Sequence, residues 1–172
     1  MNYVALLLFL MPVVVWPQAS SQGSFSFVHR IVGSRGDEVR AVAVGPDGSL
    51  FLAGVTDSDE FTTTEGAARP ERGAAAVAEV FVRKLSADGS EVVYSTLLGP
   101  TGYYTQVALG VDGQGFAYIA HTKPVEDKLA ARVLEAEGSI VVLKLSPDGT
   151  RMAQRVALLP NVSGSEALGL AV

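Results

Sequence analysis

The sequence predicts an all-β protein built from a four-stranded antiparallel unit written twice, and three observations carry that expectation. Pro46-Asp47-Gly48-Ser49, Ala87-Asp88-Gly89-Ser90 and Pro147-Asp148-Gly149-Thr150 each separate two β-rich runs, where Asp-Gly supplies the corner of a tight hairpin. Phe81 to Ser90 (FVRKLSADGS) aligns with Val141 to Thr150 (VVLKLSPDGT) at a spacing of 60 residues. Val42-Ala43-Val44 with Leu50 to Gly54 (LFLAG) aligns with Leu109-Gly110-Val111 and Ala117 to His121 (AYIAH) at a spacing of 67. Fixed periods of this length mark propellers and solenoids. The expected architecture is a partial β-propeller of about two four-stranded antiparallel blades plus flanking strands, after an N-terminal signal peptide.

Taken in order, residues 1–21 read as that signal peptide. Val4 to Val15 is an apolar run broken only by Pro12, and Trp16, Pro17, Gln18, Ala19, Ser20 and Ser21 form a small-residue cleavage zone behind it. The run is shorter than the roughly 20 apolar residues a membrane helix needs. The expectation is therefore a secreted or cell-surface chain (extracellular or periplasmic) with no stable membrane span after leader cleavage. Residues 22–39 follow as the leading strand of an incomplete blade, Phe25 to Val32, ending in Gly33. Blade 1 (40–106) holds strands at Arg40 to Val44, Ser49 to Gly54, Glu79 to Leu85 and Glu91 to Leu97. Blade 2 (107–166) holds strands at Val107 to Val111, Phe116 to Ala120, Ser139 to Leu145 and Met152 to Leu158. Residues 167–172 start a truncated third repeat, where Leu170-Ala171-Val172 matches Val42-Ala43-Val44. Both faces of Val80 to Leu85 carry apolar residues, as expected when units stack on two sides.

Two long loops interrupt the units, Val55 to Ala78 and His121 to Gly138. Ala74-Ala75-Ala76 suits a single helical turn. Val125, Leu129, Val133 and Leu134 recur at helical spacing and suggest a short helix from Glu126 to Glu135.

Composition excludes several classes. The 172 residues are 48% hydrophobic and contain no Cys, so no disulfide and no lipoprotein-type lipid anchor is available. The net charge of −5 is spread without a basic stripe, and no charged residue precedes Arg30; nucleic acid is not an expected partner.

Leu50-Phe51-Leu52-Ala53-Gly54, Phe61-Thr62-Thr63-Thr64, Val80-Phe81-Val82-Arg83-Lys84-Leu85 and Tyr94-Ser95-Thr96-Leu97-Leu98-Gly99 resemble the repeat of the SBBP family of bacterial β-propeller proteins. The resemblance runs from about Phe25 to Val172 and is stronger in the first copy; in the second, Tyr-Ser-Thr has become Gln154-Arg155-Val156. It implies a scaffold and carries over no catalytic residue.

No zinc motif, nucleophile elbow, P-loop or dinucleotide fingerprint is present, and no metal, cofactor or catalytic residue is expected. His29 and His121 read as surface or edge residues. Asp57 and Asp59, with Glu60, form the densest carboxylate group, and Tyr103-Tyr104 is the one aromatic pair on an inter-strand loop. These four residues, Asp57, Asp59, Tyr103 and Tyr104, are the candidate ligand-binding groups. Arg35-Gly36-Asp37 and Asn161-Val162-Ser163 spell short motifs that arise by chance.

The expected function is that of an exported, non-enzymatic binding or surface scaffold for a protein or carbohydrate ligand. The rival is part of a propeller-type hydrolase or lyase acting on lactones or polysaccharides. Closed propellers use four to eight blades, so the expectation extends to an open arc, a fragment of a longer propeller or a chain that associates with copies of itself through open blade faces.

Overall fold

The computed structural model describes residues 28–31, 33–74, 76–102, 105–123, 139–158 and 172. These form β1 (Asp37–Val44), β2 (Leu50–Thr56), β3 (Ala78–Leu85), β4 (Val92–Thr101), β5 (Val107–Val111), β6 (Ala117–Lys123), β7 (Ser139–Leu145) and β8 (Met152–Leu158), with no helix among the described residues. Two four-stranded antiparallel sheets result, β1-β2-β3-β4 and β5-β6-β7-β8, each a simple meander. The expected signal peptide (residues 1–21), the expected helix from Glu126 to Glu135 and residues 167–171 lie outside the described residues.

Several boundaries differ from the pattern-based ones. β1 begins at Asp37 because Asp37 and Glu38 pair with Thr56 and Val55, and an irregularity between Val39 and Ala41 absorbs the extra residue. β4 runs past Leu97 to Thr101, pairing Gly99, Pro100 and Thr101 with Val80, Glu79 and Ala78. Pro100 is tolerated there because β4 is an edge strand. Residues 28–31, part of the expected leading strand, carry no strand pairing. Ile31 instead packs on Phe61, Phe81 and Leu97 across the face of the first sheet. The edge of β4 is already occupied by the 57–77 loop, through Thr64 N–H to the Ser95 carbonyl (2.9 Å) and Leu97 N–H to the Arg69 carbonyl (3.1 Å). Covering an edge this way blocks further strand addition.

The sheets stack face to face. The first contributes Phe51, Ala53, Val80, Val82, Tyr94 and Leu98, and the second contributes Leu109, Ile119, Val141, Leu143 and Leu145 to one continuous core. Each large aliphatic or aromatic side chain in it stabilises the fold by roughly 1.5–3 kcal/mol. The meeting faces are unlike. Leu143 points into this interface, whereas its repeat counterpart Arg83 lies on the face of the first sheet that carries Phe81 and Leu97. Likewise Val42 is 60% exposed, while its counterpart Leu109 is 9% exposed.

All four hairpin corners are built alike. Gly48, Gly89, Gly115 and Gly149 sit at φ of 80°, 73°, 82° and 73°, each donating its N–H three residues back. The fourth corner, Asp112 to Phe116, puts its positive φ at Gly115 after Gln114, a turn that the three-phrase pattern does not contain. In two corners the side-chain network repeats: Ser86 and Ser146 hydroxyls donate to Asp88 and Asp148 (both 2.6 Å), and the Ser90 and Thr150 amides and hydroxyls bond the same carboxylates. Those bonds, the Ser86 and Ser146 hydroxyls first, lower both carboxyls to a pKa of about 2.

One corner joins the sheets. Gly149 lies flat on the Tyr94 ring, so close that a Cβ there would fall 2.4 Å from ring carbon Cγ, and its carbonyl accepts from Ala68 N–H at 2.9 Å.

Candidate functional site

The 57–77 loop is where the acidic candidates fall, and its start is tied down by hydrogen bonds. Asp57 accepts from Gly36 N–H through Oδ1 and donates its own N–H to the Gly36 carbonyl at 3.0 Å. Asp59 bridges two guanidinium groups, Arg72 at 2.6 Å and Arg35 at 2.9 Å. Arg72 also donates to the carbonyls of Asp57, Ala76 and Val77. Thus Arg35 and Asp37 of the Arg-Gly-Asp triplet are absorbed into the fold: Arg35 by Asp59, and Asp37 by Thr56 (2.6 Å), Ser58 and the Gly33 amide. The two candidate carboxylates serve as a clasp between the loop and the chain before β1. Tyr103 and Tyr104, like Asn161, lie outside the described residues.

Further along, the loop is anchored by a residue that pattern reading passed over. Glu79 on β3 is fully buried and accepts from Arg69 Nε (3.2 Å) and Nη2 (3.1 Å) and from Gly73 N–H (2.6 Å). Its signal in the sequence is one carboxylate inside the apolar run Ala78 to Val82. Where a helical turn is expected at Ala74 to Ala76, Ala76 N–H donates to the Gly73 carbonyl at 2.9 Å and no helix occurs among the described residues.

His121 corrects its expected surface position. It lies within β6, between Val107 and Val141, and is 3% exposed. Its Nδ1 stands 3.2 Å from the Thr122 carbonyl, which accepts the proton of the neutral ring. Burial lowers its pKa to about 4; the Thr122 carbonyl opposes this and the Arg155 charge adds to it. The imidazole is a neutral core group at neutral pH.

A cation repeats at the first corner of each sheet. Lys84 Nζ is 3.1 Å from Asp47 and 5.2 Å above the Phe51 ring, while Lys144 Nζ is 3.7 Å from Asp112 and 4.2 Å above Phe116. Both are structural pairs, with the lysine stem covering an aromatic ring.

A cleft of about 270 Å³ lies on the far face of the first sheet, walled by Arg83, Ser95 and Val92 of β3–β4, by Thr62 and Thr64 of the loop, and by His29 and Arg30. Arg83 is 6% exposed; it donates to Ser95 Oγ (3.3 Å) and the Thr62 carbonyl (3.2 Å) and lies 5.3 Å from the Phe61 ring centroid. Desolvation lowers its pKa. Sequence reading missed Arg83 as a site residue, although the alignment of Arg83 with Leu143 was the available signal.

No group of three or more potential metal ligands occurs among the described residues, and no helix there is long and apolar enough to cross a membrane. No protein-family profile, curated protein or solved structure matches the chain.

Proposed function

We propose that the chain is an exported β-propeller-repeat protein of SBBP type, in which the two sheets are successive blades and the whole serves as a non-enzymatic binding or surface scaffold for a protein or carbohydrate ligand. The observation that carries this reading is the stacking of two sheets of identical strand order through unlike faces, with the same corner network in each. Rigid strands then present the loops, and a loop pinned by Asp59, Arg72 and Glu79 holds a defined surface. The apolar leader supports export. Specificity would come from the groups on the loops rather than from the fold.

Two measurements test it. Fractionation of the producing cell should recover the chain outside the cytoplasm and shortened between Ala19 and Gln22; an intact cytoplasmic product refutes export. Replacing residues 60–71 with a Gly-Ser link should abolish adhesion of the cells to a polysaccharide panel. Unchanged adhesion at an equal surface level of the protein refutes the scaffold role of the loop.

A further inference from the structure

Arg83 is a buried cation that no carboxylate among the described residues bonds. Its hydrogen bonds go to a hydroxyl and a carbonyl, and Asp37, occupied by Thr56 and Ser58, acts on it only through space. A desolvated charge without a counter-ion is unfavourable by several kcal/mol, and folds avoid it unless something else answers the charge.

At the matching strand position the second sheet carries Leu143, which is buried against the first sheet. Arg83 instead lies on the face of the first sheet turned away from the second, beneath the cleft.

The cleft walls share one chemistry. Arg30 adds a second guanidinium, Thr62 and Thr64 add hydroxyls, and no acidic residue lines the space among the described residues. His29 lines the cleft as well, and its buried Nε2 has no hydrogen-bond partner among the described residues. In a chain of net charge −5, a concave surface with two cations and no carboxylate is set apart from its surroundings.

We infer that the cleft over Arg83 binds a small organic carboxylate, of the size of an acidic monosaccharide. A single negative charge is favoured over a dianion such as phosphate, because desolvation cost rises with the square of the charge and Arg83 is the only buried cation in the cleft. The planar guanidinium matches a carboxylate, and about 270 Å³ leaves room for a hydroxylated body beyond it, against Thr62, Thr64 and Val92. The inference needs only the first sheet, its loop and residues 28–31, so it stands or falls apart from the propeller reading.

The test is a titration of the full chain with glucuronate, glucose and inorganic sulfate at low ionic strength, followed by calorimetry and by NMR shifts of the Ser95 and Thr64 amides. Glucuronate should bind saturably, with glucose and sulfate at least about tenfold weaker, the fold-change expected of one charge-assisted contact. Arg83→Leu, which copies Leu143, should weaken glucuronate by at least about tenfold. Arg30→Gln, at an exposed residue, keeps the test decisive should Arg83→Leu fail to fold, and should weaken binding severalfold. Absence of saturable binding, sulfate as tight as glucuronate, or unchanged affinity in Arg30→Gln would each overturn the proposal.

Discussion

Mild acid should destabilise the protein through His121. The folded ring takes a proton only near pH 4, whereas in the unfolded chain it does so near its ordinary 6.5. Because the folded value is the lower one, stability is complete above about pH 6.5, declines as the pH falls towards 4, and levels below that. A displacement from 6.5 to about 4 corresponds to about 3 kcal/mol in full, of which about 2 kcal/mol is lost by pH 5. The ring is 3% exposed, so solvent screening does not erode the effect. Urea unfolding followed by far-UV circular dichroism at pH 7.5 and 5 reads it directly, since the Asp and Glu side chains stay ionised over most of that interval. His121→Gln removes the titrating group and should flatten the profile between those two pH values. A wild-type midpoint that does not move between them, or a His121→Gln protein that keeps the wild-type slope, would refute the reasoning.

Other substitutions probe the remaining joints. Glu79→Gln leaves Arg69 and Gly73 without their carboxylate and should cost about 2–3 kcal/mol, while opening the 65–74 segment to limited proteolysis; unchanged cleavage rates would contradict the clamp. Gly149→Ala should cost well over about 2 kcal/mol, because a methyl group would collide with Tyr94 at a positive φ, whereas Gly115→Ala, at φ 82° with its nearest neighbour 3.5 Å away, should cost only about 1 kcal/mol; equal losses in thermal midpoint would remove the Tyr94 seat from the account. Tyr94→Phe deletes a buried hydroxyl that has no hydrogen-bond partner and should be neutral or stabilising by up to about 1 kcal/mol, so a marked fall in stability would show the hydroxyl to be satisfied in solution.

Strand content was legible because a stacked sheet leaves a local trace: alternating apolar residues bounded by Asp-Gly corners. The repeat spacing placed β5, β7 and β8 to the residue. Ends set by distant partners were not legible. β4 continues to Thr101 because β3 offers Ala78 and Glu79 to pair with, and nothing in Gly99-Pro100 announces this. Asp57 and Asp59 were visible as a carboxylate cluster, yet their bonds to Gly36, Arg35 and Arg72 cross 13 to 24 residues, a range over which composition carries no signal. His121 was misjudged because a lone polar residue at a strand end looks exposed until the facing sheet is in place. Arg83 was hidden for the opposite reason: an alternating strand excuses an Arg as a solvent-facing residue, and only the loop at Thr62 to Thr64 folding over it closes it off.

The ring beneath Gly149 also gives the stack a direction. Interfaces between two copies of one face close on themselves, while those between unlike faces can add units into rings or filaments. Here the seat is not passed on: the position of Tyr94 in the first sheet is occupied in the second by Gln154, which is exposed. A further sheet laid on the second would meet an amide in place of an aromatic platform, and its corner glycine would lose the surface that locates it. The two sheets are therefore not interchangeable at this joint: the first offers an aromatic platform to a corner glycine and the second does not.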